Sequence, residues 1–202
     1  DNLAKLGTLE DNKTLDMVIP KYLYDKLVEE LGKLGLNIDI VKTYKPWLVS
    51  IVLSVLPGMT LGYSEEFGID RHFLNKAQAD KKNILELENL DDQIDLIVNK
   101  LDQETNLGMS LLTLEMSKVY YKELVRCWKK GDEQTMERLI FSKSPLFKTE
   151  DYYDKFFYER NIKMAEKIIT YLNDETDYFV IVGAGHLIGD KSIIAILKAK
   201  GF

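Results

Sequence analysis

The sequence predicts an α/β fold, rich in helix, with a small, mainly parallel sheet flanked by helices. Three observations predict it. Most of the 202 residues fall into amphipathic helical stretches. Two short runs, "NILELEN" (83–89) and "YFVIVG" (178–183), carry the aliphatic and aromatic bias of strands. Each is followed by a helical pattern, the order that a parallel sheet covered by helices requires.

The elements follow in order. The first dozen residues are polar and irregular. "IPKYLYDKLVEELGKLG" reads as a helix, with Pro20 at its first turn, Gly35 past its end, and Leu23, Leu27, Leu31 and Leu34 as its apolar stripe. "WLVSIVLSVL", Trp47 to Leu56, lies between Pro46 and Pro57 and reads as a short buried helix. Ten helical residues rise about 15 Å, half a bilayer core, so this is no membrane span. "IDRHFLNKAQADKK" puts Ile69, Phe73 and Ala77 on one helical face.

In the first strand, Glu86 and Glu88 are two apart and point to the same face. The helix after it is amphipathic on Leu90, Ile94, Ile97 and Leu101. A long helical region from about Leu107 to Lys130 precedes "GDEQTMERLIF", where Asp132 is the expected N-cap. "YYDKFFYERNIKMAEKIITYLN" gives a further helix of about twenty residues. The second strand then leads into "GDKSIIAILKAKG", a helix closing on Gly201. Two strands make a poor sheet, so something outside these elements is expected to complete it.

Composition narrows the function. The chain is 46% hydrophobic and 30% charged, enough for one good core or two small ones. Its 33 acidic and 27 basic residues leave a charge of −6, which speaks against a nucleic-acid partner. A single cysteine, Cys127, excludes an internal disulfide and a cysteine-based zinc knuckle, and beside Trp128 it reads as buried and inert.

The most constrained turn is "GAGHLIG", 183–189. Read as a dinucleotide fingerprint, its glycines at 183, 185 and 189 are one residue too long, and no second βα unit can follow. Read structurally, Gly183 and Gly185 let the strand turn and His186 fills the corner. Read functionally, His186 sits at the carboxyl end of one strand and Glu88 at the end of the other. If the strands are neighbours, an imidazole and a carboxylate converge as half of a metal site or as an acid/base pair. Arg160 and Asn161 in "YERN" read either as a solvated face or as a clamp on a carboxylate or oxyanion. Asp70 favours its helix dipole, and His72 faces solvent. The tyrosines and phenylalanines of "EDYYDKFFYERN" read as core or as the wall of a peptide groove.

These segments, in this order, resemble the TraB/GumN family, which includes the Tiki proteins and the pheromone-shutdown proteins of conjugative plasmids. The resemblance lies in "YKPW", "GIDRHFLNKA", "ILELENLDDQ", "WKKGD", "ERNIKMAEKI" and "FVIVGAGHLIGDKSIIAILKAKGF". The family carries two Gly-x-x-His motifs with a glutamate between them. The second motif matches Gly183 to His186 and the glutamate matches Glu88, while the first motif has no counterpart here. Asp70, Arg160 and Asn161 match recurrent family positions.

The resemblance implies one TraB/GumN-like domain over 1–202, cut short at its N-terminus and at its C-terminus, with the sheet incomplete for that reason. It implies a metal-dependent hydrolase, foremost a peptidase, inactive in this form. His186 and Glu88 would ligate a divalent zinc, manganese or cobalt ion. Arg160, Asn161 and Asp70 would be catalytic, Arg160 stabilising charge and the other two orienting the ligands. The alternative it implies is a regulator of the pheromone-shutdown type that sequesters a peptide without cutting it, its groove lined by residues such as Tyr152, Tyr153 and Phe157. A third reading makes His186 a turn-filler in a scaffold. Expected partners are a peptide or polypeptide and, through unpaired strand edges, a second copy of the chain. Relatives of this kind are exported, lipid-anchored or membrane-attached, which sets the expectation for localisation.

Overall fold

The structure, a computed structural model, describes residues 2–173 and 175–202. Its helices are α1 (Asn2–Leu6), α2 (Lys21–Lys33), α3 (Pro46–Thr60), α4 (Ile69–Ala79), α5 (Leu90–Asp95), α6 (Gln103–Glu115), α7 (Ser117–Lys130), α8 (Glu133–Ile140), α9 (Thr149–Tyr153), α10 (Glu159–Leu172) and α11 (Ile193–Ala199). Two π-turns extend this list: Leu96–Lys100 follows α5, and Asp154–Tyr158 joins α9 to α10.

Three apolar clusters hold these helices. The largest joins Leu23, Leu27 and Leu31 of α2 to Val49 and Leu53 of α3 and to Leu107, Leu111 and Leu114 of α6. The predicted α2 stripe is therefore the core face, with each fully buried leucine contributing roughly 1.5–3 kcal/mol. A second cluster gathers Met164, Ala165 and Ile168 of α10 with Ile193 of α11. A third joins Cys127 of α7, Met136 of α8 and Ile188.

The predicted sheet is absent. Among the described residues there is no strand, and the one β-bridge pairs Thr8 with Tyr44, far from either predicted strand. Residues 82–86 and 177–183 carry neither helix nor ladder. The apolar residues do what strand residues do on one face: Leu87 and Val182 both pack on the α10–α11 cluster. What fails is pairing: no strand ladder is formed by either segment among the described residues. A ladder is a property of two segments, and burial of side chains on a shared helix does not create it.

Other boundaries moved for local reasons. α3 continues through Pro57, which lies inside the helix and is buried. The long helix expected from Leu107 divides at Met116, whose ψ of 0° ends α6 before α7 begins. The π-turn after α5 shifts the helical register, so Leu96 is buried where Ile97 was expected, and Leu90 is 64% exposed. Asp132 caps α8 as expected, accepting from the Thr135 amide at 3.1 Å. No helix among the described residues is long and apolar enough to cross a membrane.

Candidate functional site

The first turn of α10 places two consecutive side chains on two different partners. Arg160 reaches Glu88 with a two-pronged contact, Nε to Oε1 at 2.7 Å and Nη2 to Oε2 at 2.6 Å. Its remaining nitrogen, Nη1, donates to the Phe156 carbonyl at 2.8 Å, which fixes the guanidinium plane. Both partners are largely shielded, with side-chain exposures of 18% and 12%. Gln93 adds a long contact to Glu88 Oε2 at 3.4 Å.

The next residue, Asn161, has no exposed surface. Its Nδ2 donates to the Lys191 carbonyl at 2.8 Å, so its Oδ1 is left as an acceptor. His186 Nδ1 lies 2.5 Å from that oxygen and must carry the proton. The other ring nitrogen, Nε2, therefore holds a free lone pair. It makes no hydrogen bond to any described residue. Phe157 flanks the imidazole, with centroids 5.4 Å apart.

Electrostatics follow from this packing. Burial, reinforced by the Arg160 charge and opposed by Glu88, holds the His186 imidazole down at about 4. It is neutral at pH 7. Burial pushes the Glu88 carboxyl up, but the Arg160 hydrogen bonds and charge, with Gln93 and His186, outweigh it and the net shift is down. Glu88 is thus an ionised carboxylate near an uncharged imidazole.

A cavity of about 290 Å³ opens beside the Arg160–Glu88 ion pair, lined by those two and by Leu96, Lys100, Lys155 and Lys163 among others; His186 is not in its wall. Both π-turns contribute to its wall, through Leu96 and Lys100 and through Lys155.

The structure thus brings together four of the five expected side chains, and by a route other than the expected one. His186 and Glu88 do not converge from the ends of paired strands; adjacent residues of α10 hold them. Asp70 stands apart, exposed in the first turn of α4 with no side-chain hydrogen bond or ion pair to any described residue. Glu86 is exposed and only its carbonyl is engaged, by Lys167. His72 faces solvent and Cys127 is buried, as expected. The aromatic residues form a wedge: Tyr153 is 6% exposed and donates to the Ser142 carbonyl, and Phe157 stacks edgewise on Phe141. The Lys191 carbonyl had no signature in the sequence, because it acts through its backbone; Phe157, expected in the wall of a peptide groove, lies against the His186 ring.

Among the described residues no group of three or more histidine, cysteine, aspartate or glutamate side chains is placed to hold a metal ion.

The TraB/PrgY/gumN family matches residues 1–202, and the chain belongs to that family. It is 23% identical over 171 residues to the uncharacterized protein YbaP of Escherichia coli (strain K12), covering 82% of this chain and 61% of that protein. The YbaP of Shigella flexneri matches to the same extent. The chain thus aligns with about three fifths of the length of these relatives. A metalloprotease TIKI homolog of Nematostella vectensis is 43% identical over 51 residues, which are 24% of this chain and 11% of that protein. No solved structure matches the chain significantly.

Proposed function

We propose that the whole protein is a metal-dependent hydrolase acting on peptide bonds, with His186 and Glu88 as protein donors to a divalent zinc, manganese or cobalt ion. The observation that carries this reading is the His186–Asn161 contact. Metal-ligating histidines characteristically donate their second ring N–H to a fixed acceptor, which sets the tautomer and aims the free nitrogen. Asn161 is such an acceptor, and Nε2 has no hydrogen bond to any described residue. The family and the partial likeness to a protein named as a metalloprotease point the same way.

The donor set fits the ion incompletely. His186 supplies one lone pair. Glu88 has both oxygens engaged by Arg160, yet each carboxylate oxygen keeps a second lone pair. Remaining positions would fall to water and to the rest of the whole protein. When bound, the ion supplies a polarised carbonyl and an activated water. This chain's residues supply the rest. Asn161 holds the His186 ring, Arg160 keeps Glu88 ionised, and the guanidinium, close to the cavity, can stabilise negative charge that develops on a substrate.

The test is metal binding by calorimetry and elemental analysis on the whole protein, in wild type and His186→Ala, followed by cleavage of an unstructured polypeptide with and without chelator. Near-stoichiometric binding lost in the variant, with chelator-sensitive cleavage, is the expected result. Equal binding in both would overturn the assignment of His186. Peptide binding that survives chelator, without cleavage, would replace the hydrolase by the sequestering regulator.

A further inference from the structure

Three cations lie along one flank of α10. Arg160, Lys163 and Lys167 follow at the spacing that puts side chains on one helical face. All three line the cavity beside the Arg160–Glu88 pair. Segment 86–88 lies against this flank and satisfies the two outer cations. Glu88 holds Arg160 through both carboxylate oxygens, and the Glu86 carbonyl accepts from Lys167 Nζ. Leu87, between them, packs on the α10–α11 cluster and brings no acceptor. Lys163 is left with no side-chain hydrogen bond or ion pair to any described residue. Even Glu159, one turn earlier on the same helix, forms no ion pair with it.

The other two cations of the wall are neutralised from outside it. Lys155 pairs with Asp151 at 2.9 Å and Lys100 with Asp95 at 2.7 Å, and neither aspartate lines the cavity. In all, the wall holds five cationic side chains against four carboxylates, in a chain whose net charge is −6. The local surplus is one positive charge, and Lys163 is the cation without an acceptor. That suits a monoanion. A dianion such as phosphate would meet the repulsion of Glu88, Asp92 and Glu159 more strongly. Leu87 and Leu96 give the cavity an aliphatic side, which suits an anion carried on an aliphatic stem. At about 290 Å³ the cavity lies at the small end of ligand sites, which begin at roughly 300 Å³, so it takes one residue of a longer ligand.

We infer that this cavity is a carboxylate subsite for a polypeptide, with Lys163 as the residue that receives the carboxylate. The group comes from a glutamate or aspartate side chain or from the polypeptide's own C-terminus, which present the same chemistry. The inference rests on the polypeptide part of the proposed function and on no metal, since His186 lies outside the wall. Lys163 selects the ligand and takes no part in bond breaking.

The experiment is fluorescence anisotropy with three short, labelled alanine–serine peptides, at low salt, where screening is weak, and with chelator throughout. The first carries a central glutamate and an amidated C-terminus. The second has glutamine in its place and is also amidated. The third has the glutamine and a free C-terminus. Wild type is compared with Lys163→Met, Lys163→Arg and, as a control for net charge, Lys118→Met, an exposed lysine of α7 outside the cavity. Wild type should bind a carboxylate-bearing probe about threefold to fivefold more tightly than the neutral second probe. Lys163→Met should lose that preference, while Lys163→Arg and Lys118→Met keep it. A preference for the first probe assigns the subsite to an acidic side chain, and one for the third assigns it to the C-terminus. No preference in wild type, no binding of any probe, or a preference undiminished in Lys163→Met overturns the inference. Cleavage of the same probes with metal restored separates the two readings. A Lys163-dependent preference without any metal-stimulated cleavage keeps the subsite and removes the hydrolase. Chelator-sensitive cleavage that is equal for all three probes, with binding indifferent to Lys163, keeps the hydrolase and removes the subsite.

Discussion

His186 and Asn161 face each other across 2.5 Å, and Asn161 is completely buried. The amide is spent on both sides, since Nδ2 serves the Lys191 carbonyl. Replacing Asn161 by Ala would orphan the imidazole N–H and that carbonyl together. An unsatisfied buried group costs about 1–3 kcal/mol, so a loss of roughly 2–4 kcal/mol is expected from chemical denaturation of Asn161→Ala. Asn161→Asp is the more telling variant. A carboxylate against Nδ1–H favours the imidazolium, so the His186 pKa should rise from about 4, followed by NMR titration of the ring protons. An unchanged titration would mean that Asn161 does not face the ring.

The depressed His186 pKa makes a signed prediction for the metal-free protein. An unfolded histidine titrates near 6.5, and the folded one at about 4. Above pH 6.5 neither state is protonated and the group is neutral to stability. As the pH falls from 6.5 toward 4, the unfolded chain takes up a proton that the fold refuses, so stability declines. The carboxylates with lowered values, Glu88 among them, add their own losses only below about 4.5. Melting temperature should therefore begin to fall between pH 6.5 and 4.5 in wild type, and stay flat there in His186→Gln. A decline of the same size in both would assign it elsewhere.

The Arg160–Glu88 pair depends on fork geometry. Arg160→Lys keeps the charge but offers one point donor where two parallel ones are needed. It should recover little of the stability lost in Arg160→Met, for which about 2–4 kcal/mol is expected because Glu88 stays shielded without its partner. Glu88 titration should move upward in both variants, most in Arg160→Met, as measured by carboxyl NMR. A lysine variant as stable as wild type would show that charge alone suffices.

Residues of the site were legible in the sequence to an unequal degree. His186 and Glu88 stood out at the ends of patterned segments, whereas Arg160 and Asn161, inside a predicted helix, read equally as a solvated face and were marked by the resemblance. The mutual arrangement of the four did not stand out, since it depends on α10 presenting Arg160 and Asn161 to two loops in succession. The sheet was misjudged for a related reason. Ile84, Leu85, Leu87 and the run from Phe179 to Val182 carry strand-like side chains, and alternation reports which face is buried, as Leu87 and Val182 confirm. It does not report whether a second backbone lies alongside. Pro57 and Met116 show the opposite failing at short range: a proline was given too much weight as a helix stop, and a methionine gave no sign of a break. Asp70 was picked out by resemblance, and its exposed side chain has no hydrogen bond or ion pair to any described residue.

The wedge beneath the turn yields the last prediction. Phe157 reaches His186 because Gly185 lacks a Cβ; a methyl group would sit 2.6 Å from Phe157 Cε1. The ring cannot yield freely, since Phe141 lies edgewise on it with centroids 5.1 Å apart. Gly185→Ala should therefore cost about 1–3 kcal/mol as an overpacked site and shift the imidazole away from Asn161. Phe157→Leu in the same chain removes the clash and should restore part of that loss, a positive coupling in a double-mutant cycle. Gly183→Ala, two residues away and free of any such contact, should show no coupling with Phe157→Leu. Coupling at 183 equal to that at 185 would mean that the whole turn rests on the aromatic wedge, and Gly183 would then be one more packing glycine.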